Sequence, residues 1–130
     1  MDILVIGSMN MDLVVKADRY PVKGETVFGS DFQQIPGGKG ANQACAIAKL
    51  GGKVGFIGAC GKDEYGKQLL TNLNKCGVNV DHVSRMNTNT GIAMIVVEKD
   101  GDNRIIIIPG ANGEVTPSLI DQKEKYIQNA

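Results

Sequence analysis

The sequence predicts an α/β fold, a partial doubly wound parallel sheet with a small antiparallel β unit attached to it. Three observations carry that expectation. Short branched apolar runs without alternation, Ile3-Leu4-Val5-Ile6-Gly7 and Val54-Gly55-Phe56-Ile57-Gly58, read as strands buried on both faces. Between and after them apolar residues recur at helical spacing, as Ala41, Ala44, Cys45, Ala48 and then Leu69, Leu70, Leu73, Cys76. Strands alternating with helices require crossover connections and hence parallel pairing. Finally, Gly91 to Glu98 and Arg104 to Ile108 are strand runs joined by Lys99-Asp100-Gly101-Asp102-Asn103, where Asp-Gly signals an antiparallel hairpin.

The elements follow in order. After the first strand, Leu13-Val14-Val15 forms a second run, Tyr20-Pro21-Val22-Lys23-Gly24 is a turn, and Glu25 to Phe32 is strand-like. Ile35-Pro36-Gly37-Gly38-Lys39-Gly40 punctuates the chain before the first helix, whose small residues allow close packing on a sheet and which ends at Gly51-Gly52. Asp63 is placed to N-cap a helix through Cys76 that closes at Gly77, and Val78 to Val83 is a short strand. Thr116-Pro117 supplies a cap and a first-turn proline for a final helix running to the end with Leu119, Ile120 and Ile127. The apolar strand Arg104-Ile105-Ile106-Ile107-Ile108-Pro109 has to be covered; either it lies on its own domain or it packs against a second subunit.

Composition narrows the function classes. Net charge is zero and no basic cluster breaks the balance, which argues against nucleic acid or an anionic membrane as partner. No stretch approaches the ~20 apolar residues of a membrane span, and the N-terminal run is too short for a signal peptide. Cys45, Cys60 and Cys76 form no C-x-x-C pair and sit in apolar stretches, so they are expected as buried free thiols in a reducing compartment, the cytoplasm. His82, the single histidine, has no triad-type partner, and few histidines with unpaired cysteines argue against a transition-metal site. Asp100 and Asp102 shape the hairpin turn, and the charged residues of the last helix read as a solvated face.

Two segments can carry chemistry. Gly37-Gly38-Lys39-Gly40-Ala41-Asn42 opens a helix, where glycines permit close approach to the backbone and the first turn offers unpaired N–H donors. It is not a Walker loop, because Gly40 stands where Ser or Thr is required and a glutamine where the first glycine belongs; Gly7-Ser8-Met9 likewise lacks the second glycine of a dinucleotide fingerprint. A Gly-Gly turn before a helix is also a common plain turn. Asn10 and Asp12 follow the first strand at i and i+2, so in extended chain both side chains point the same way. A carboxylate and an amide aimed together suit a polyol. The alternative is a simple turn between two strands.

Taken together, these segments resemble the ribokinase (PfkB-type) carbohydrate kinase family. The resemblance runs through Ile3 to Asp12, Pro21-Val22-Lys23-Gly24-Glu25-Thr26, Gly37-Gly38-Lys39-Gly40-Ala41-Asn42-Gln43-Ala44, Gly61-Lys62-Asp63 and Pro109-Gly110-Ala111-Asn112, so it spans essentially the whole chain. It implies a Rossmann-like α/β core over about residues 1–10, 37–84 and 113–130, and a β lid over about 11–36 and 91–110. It implies that Asn10 and Asp12 hold ribose hydroxyls and that the Gly38 and Lys39 backbone and the Asn42 side chain hold others. The implied reaction is MgATP-dependent phosphorylation of the 5-hydroxyl of D-ribose, with a monovalent cation (K+) as further cofactor and a homodimer formed through the lids. Family members carry a D-T-x-x-A-G-D-like segment with the general base, and the ATP pocket, in a second half. No such segment occurs in these 130 residues, so the chain is expected to be a sugar-binding N-terminal part with no catalytic, nucleotide or metal residue of its own. A sugar-binding or dimerisation module without kinase activity, and a related kinase for another sugar or a nucleoside, are the alternatives.

Overall fold

A computed structural model describes residues 1–130. Strand β1 (Ile3–Ile6) pairs in parallel with β4 (Val54–Ile57), Ile3 opposite Val54 and Ile6 opposite Ile57. Past Gly58 the chain continues as β5 (Ala59–Gly61), which pairs in parallel with β6 (Ser84–Met86). A bridge between Gly55 and Asn79, and a bond from the Ser84 N–H to the Gly58 carbonyl, join the two pieces into the parallel core that the strand–helix alternation predicts.

Helices α1 (Lys39–Lys49) and α2 (Glu64–Cys76) pack on this sheet and on each other. Alanine spacing buries Ala41 and Ala44 of α1, and Leu69 and Leu73 of α2 are buried beside them. They close over Phe56, Met9, Met11 and Val78. Each large apolar side chain so buried contributes about 1.5–3 kcal/mol. The Asp63 carboxylate accepts the Gly66 N–H at the start of α2, and Gly77 ends it in the left-handed region at φ 98°, both as expected.

A second sheet has the order β3-β2-β7-β8, with β2 Asn10–Ala17, β3 Gly29–Gly37, β7 Gly91–Val97 and β8 Asn103–Ile108. Its outer pairs are antiparallel hairpins; its central pair, β2 with β7, is parallel. Both central strands leave the core in the same direction, Asn10 beside Gly91, and each folds back through its own hairpin.

Several expectations need correction. β1 is not buried on both faces: Ile3 and Ile6, which point to opposite faces of the sheet, are 42% and 46% exposed, because β1 is an edge strand paired only with β4. β4, between β1 and Asn79, is buried throughout as expected. β3 begins at Gly29 and runs through Pro36 to Gly37, which a proline permits at a sheet edge where its missing N–H has no ladder role. In Val78 to Val83 only Asn79 bridges, and the strand lies at Ser84–Met86. The terminal helix is two short helices, α3 (Pro117–Gln122), capped by Thr116, and α4 (Glu124–Gln128), separated at Lys123, whose N–H tightens back to the Ile120 carbonyl. The His82 ring, with its centroid 3.5 Å from that of Tyr126, is where α4 touches the rest of the chain.

The cysteines also differ. Cys45 and Cys76 form a disulfide between α1 and α2, with Cα atoms 5.3 Å apart, and only Cys60 is a buried free thiol. The pairing arises because both residues lie on the seam between the two helices. β8 is exposed along its whole length, so its isoleucines stay uncovered within the chain. No helix is long and apolar enough to cross a membrane.

Candidate functional site

Between the four-stranded sheet and the N-terminus of α1 lies an open cleft of about 510 Å³. Asn10, Asp12, Gly38, Lys39 and Asn42, the five residues singled out from the sequence, all line it.

Strand register explains which other side chains join them. Cross-strand partners share a face. Asp12 stands opposite Ala93, and Ala93 opposite Ile107. One row further out, Ile95 stands opposite Ile105. Ala93, Ile95, Ile105 and Ile107 therefore form an apolar wall beside the Asn10–Asp12 pair. The isoleucine run is thus divided by the two-residue period, with Ile105 and Ile107 toward the cleft and Ile106 and Ile108 on the other face.

The polar side is tightly organised. Asn10 Nδ2 donates to Asp12 Oδ1 at 2.6 Å, leaving the second carboxylate oxygen available to accept from a ligand. Burial pushes the Asp12 carboxyl above its ordinary value, and the Asn10 bond opposes that shift. A Cβ on Gly37, opposite Asn10, would fall 2.8 Å from both Asp12 oxygens, so glycine there gives the carboxylate its place.

The α1 end of the cleft depends on backbone proximity. Gly38 has φ 100°, its carbonyl accepts the Asn42 N–H, and the Ser8 carbonyl accepts the Ala41 N–H. Gly40 lies directly on Gly7; a Cβ at residue 40 would sit 2.8 Å from the Gly7 Cα. Backbone cannot yield as a side chain does. Gly40→Ala is therefore expected to destabilise the fold by about 1–3 kcal/mol, read as a lower urea midpoint at unchanged slope. An unchanged midpoint would show that α1 can lift off β1 freely.

Sequence reasoning assigned no role to Asn112. Its side chain accepts the Met9 N–H at 3.1 Å and donates to the Met9 carbonyl at 2.9 Å, tying the 3-10 turn Gly110–Glu114 to the β1–β2 junction and lining the cleft. The contact spans 103 positions, so no local signal reports it. The apolar wall was legible only in part, as an isoleucine run expected to be covered by its own domain or by a second subunit.

Thr90, the residue before β7, is fully buried. Its N–H donates to Asp63 Oδ2 at 2.8 Å, its hydroxyl donates to Asp63 Oδ1, and its Oγ1 accepts the Gly61 N–H at 2.8 Å. The helix cap of α2 therefore also anchors the root of the strand that carries the apolar wall. Burial raises the Asp63 carboxyl, but bonds from the Thr90 side chain, the Thr90 and Gly66 backbone, and the Arg85 charge outweigh it, so the net shift is downward. Away from the cleft, Glu25 is held at about 2 by Arg19 and by the Val22 N–H, which closes the turn before β3.

A family model described as pfkB family carbohydrate kinase matches residues 1–130. The ribokinase of Lactococcus lactis is 54% identical over 123 residues, covering 93% of this chain and 41% of that protein. That of Bacillus subtilis is 49% identical over 129 residues, covering 95% and 44%. The structure of Arabidopsis thaliana ribokinase complexed with ribose and ATP matches with a TM-score of 0.79 at 43% identity, over 85% of this chain and 36% of that one. The chain thus spans about two fifths of the length of the curated relatives it matches. With a match along all 130 residues and a cleft assembled from the residues that carry the resemblance, this chain belongs to the pfkB family of carbohydrate kinases.

Proposed function

We propose that these residues form the sugar-binding part of a ribokinase-like kinase, whose whole form phosphorylates D-ribose to ribose 5-phosphate with ATP. The observation that carries this reading is the cleft, with the Asn10–Asp12 carboxylate–amide pair on one side and an apolar wall on the other. Asp12 and Asn10 would accept from and donate to ring hydroxyls, the backbone at Gly38 and Lys39 and the Asn42 amide would take others, and the apolar wall would face the C–H surface of the sugar. The β2–β3 and β7–β8 hairpins act as a lid over the core in this reading.

The donors of the cleft do not suit a metal ion or a nucleotide. The cleft holds one carboxylate, already engaged by Asn10. The carboxylates that cluster, Glu98, Asp100 and Asp102, lie at the β7–β8 hairpin, where Asp100 accepts the Asp102 N–H. MgATP, the monovalent cation and the phosphoryl-transfer step are accordingly assigned to residues outside these 130. The 130-residue polypeptide is expected to show no sugar-dependent ATP turnover; measurable turnover would overturn that.

Isothermal titration with D-ribose tests the site, with D-fructose and adenosine as controls for a related kinase of other specificity. Ribose binding in preference to both supports the reading; a folded sample that binds none of them opposes a preformed site. Gly37→Ala offers a finer test. Its methyl group would displace the Asp12 carboxylate, the end of a flexible side chain, so ribose affinity is expected to fall by about tenfold or more while the urea midpoint changes little. The uncovered β8 strand supports a homodimer formed lid to lid. Sedimentation equilibrium reporting only monomer at tens of micromolar would oppose it.

A further inference from the structure

Cys45 and Cys76 are bonded across the seam of α1 and α2. Both are half-buried, and both line an open groove of about 350 Å³ together with Asn42, Lys49 and Asn72. Cys60, in contrast, is fully buried, and burial pushes its thiol upward. The molecule therefore holds one pair of sulfurs reachable from solvent and one sequestered thiol. A disulfide sulfur reachable from solvent is open to attack by an external thiolate. The Lys49 side chain lines the same groove.

Position gives the pair a consequence. Asn42 and Cys45 are three residues apart and so lie on one side of α1. Asn42 lines both the groove and the cleft. The bond thus fastens α1 to α2 one turn from the residue that reaches the cleft.

We propose that Cys45 and Cys76 are a reversible redox modification site, exchanged by low-molecular-weight thiols and disulfides, whose oxidised form clamps α1 onto α2. In the oxidation, the thiolate of one cysteine attacks the S–S bond of a small disulfide and expels one small thiolate. The thiolate of the other cysteine then attacks the mixed disulfide, closes the Cys45–Cys76 bond and expels the second. The two protons lost by the protein thiols end on the departing thiolates, and the two electrons reside in the reduced small thiols. Reduction is the reverse, with two thiols consumed and one small disulfide formed.

The test uses the full folded chain in buffers of varied ratio of reduced to oxidised glutathione. After acid quenching, thiols are alkylated in denaturant and intact mass is measured. One alkylation, at Cys60, is expected at the oxidised end and three at the reduced end, with the same midpoint approached from either direction. Reduction is also expected to lower the thermal midpoint by on the order of 5–10 °C, because the bond restricts the unfolded chain across a separation of 31 residues. Cys60→Ser should keep the transition, now between none and two alkylations, and Cys45→Ser should abolish it. Three alkylations at every ratio would overturn the proposal, as would one alkylation persisting in excess reduced glutathione under native conditions, or a stable glutathione adduct in place of the internal bond. The readouts need no sugar, so the outcome is independent of the proposed function.

Discussion

Replacing Asp12 by alanine is expected to weaken D-ribose binding by at least about 100-fold while leaving the fold intact. A carboxylate accepting two hydroxyl protons makes charge-assisted hydrogen bonds, each worth roughly 1.5–3 kcal/mol, and together these exceed a hundredfold in affinity. The same substitution leaves Asn10 Nδ2 without its 2.6 Å partner, but at a cleft wall that water can reach. Stability is expected to hold or rise slightly at neutral pH, because burial raises the Asp12 carboxyl and its ionised form is a burden to the empty cleft. The sign follows from linkage. With a folded value above the ordinary 3.8, the penalty is absent below 3.8, grows as pH rises through the raised value and is complete above it. Ribose affinity should show the mirror image, falling as Asp12 protonates at a pH higher than an ordinary aspartate requires. Titration calorimetry across pH, with urea unfolding in parallel, checks both. A threefold loss or less on Asp12→Ala would remove the carboxylate from the site.

Asp63→Ala is expected to cost about 2–4 kcal/mol of stability, a large share of the roughly 5–15 kcal/mol typical of a domain. Two losses add here. The α2 N-cap disappears, at about 1 kcal/mol. The buried Thr90 N–H and hydroxyl lose their acceptor, at about 1–3 kcal/mol. Thr90→Val should reproduce part of this by taking the acceptor from the Gly61 N–H, and the double variant should lose less than the sum, since both belong to one network. Because the Asp63 carboxyl is held below 3.8, its contribution is complete above 3.8 and is lost as pH falls from there through its folded value. The wild-type chain should therefore be more acid-sensitive in that window than the alanine variant. Urea unfolding at neutral pH and near pH 3 tests this; a loss under about 1 kcal/mol at neutral pH would mean that Thr90 finds another partner.

These two aspartates differ in how far the sequence announced them. Asp63 was legible as a cap, because capping is a local pattern of a short polar residue before a helical period. Its grip on Thr90, 27 positions away, was not. Asn10 and Asp12 were legible as a pair on one face, since the period of an extended chain is two. Their neighbours in the cleft were not, since Ala93, Ile95, Ile105 and Ile107 arrive by register with strands roughly 80 or more positions on. The family resemblance located Gly38, Lys39 and Asn42, and the structure brings them to the same cleft.

The sequence by itself determined what acts over a few residues: the strands β1 and β4, the two helices with their apolar faces, the caps at Asp63, Gly77 and Thr116, and the Asp-Gly hairpin. Periodicity and backbone conformation are local, so they can be read along the chain. Only the tertiary structure decided the parallel β2–β7 pair, the edge position that exposes Ile3 and Ile6 of β1, the Cys45–Cys76 bond and the Asn112 clasp on Met9. Each of these depends on which distant segments meet, and that is settled by burial of the shared core around Phe56, Met9 and Leu73, to which no single stretch of chain holds the key.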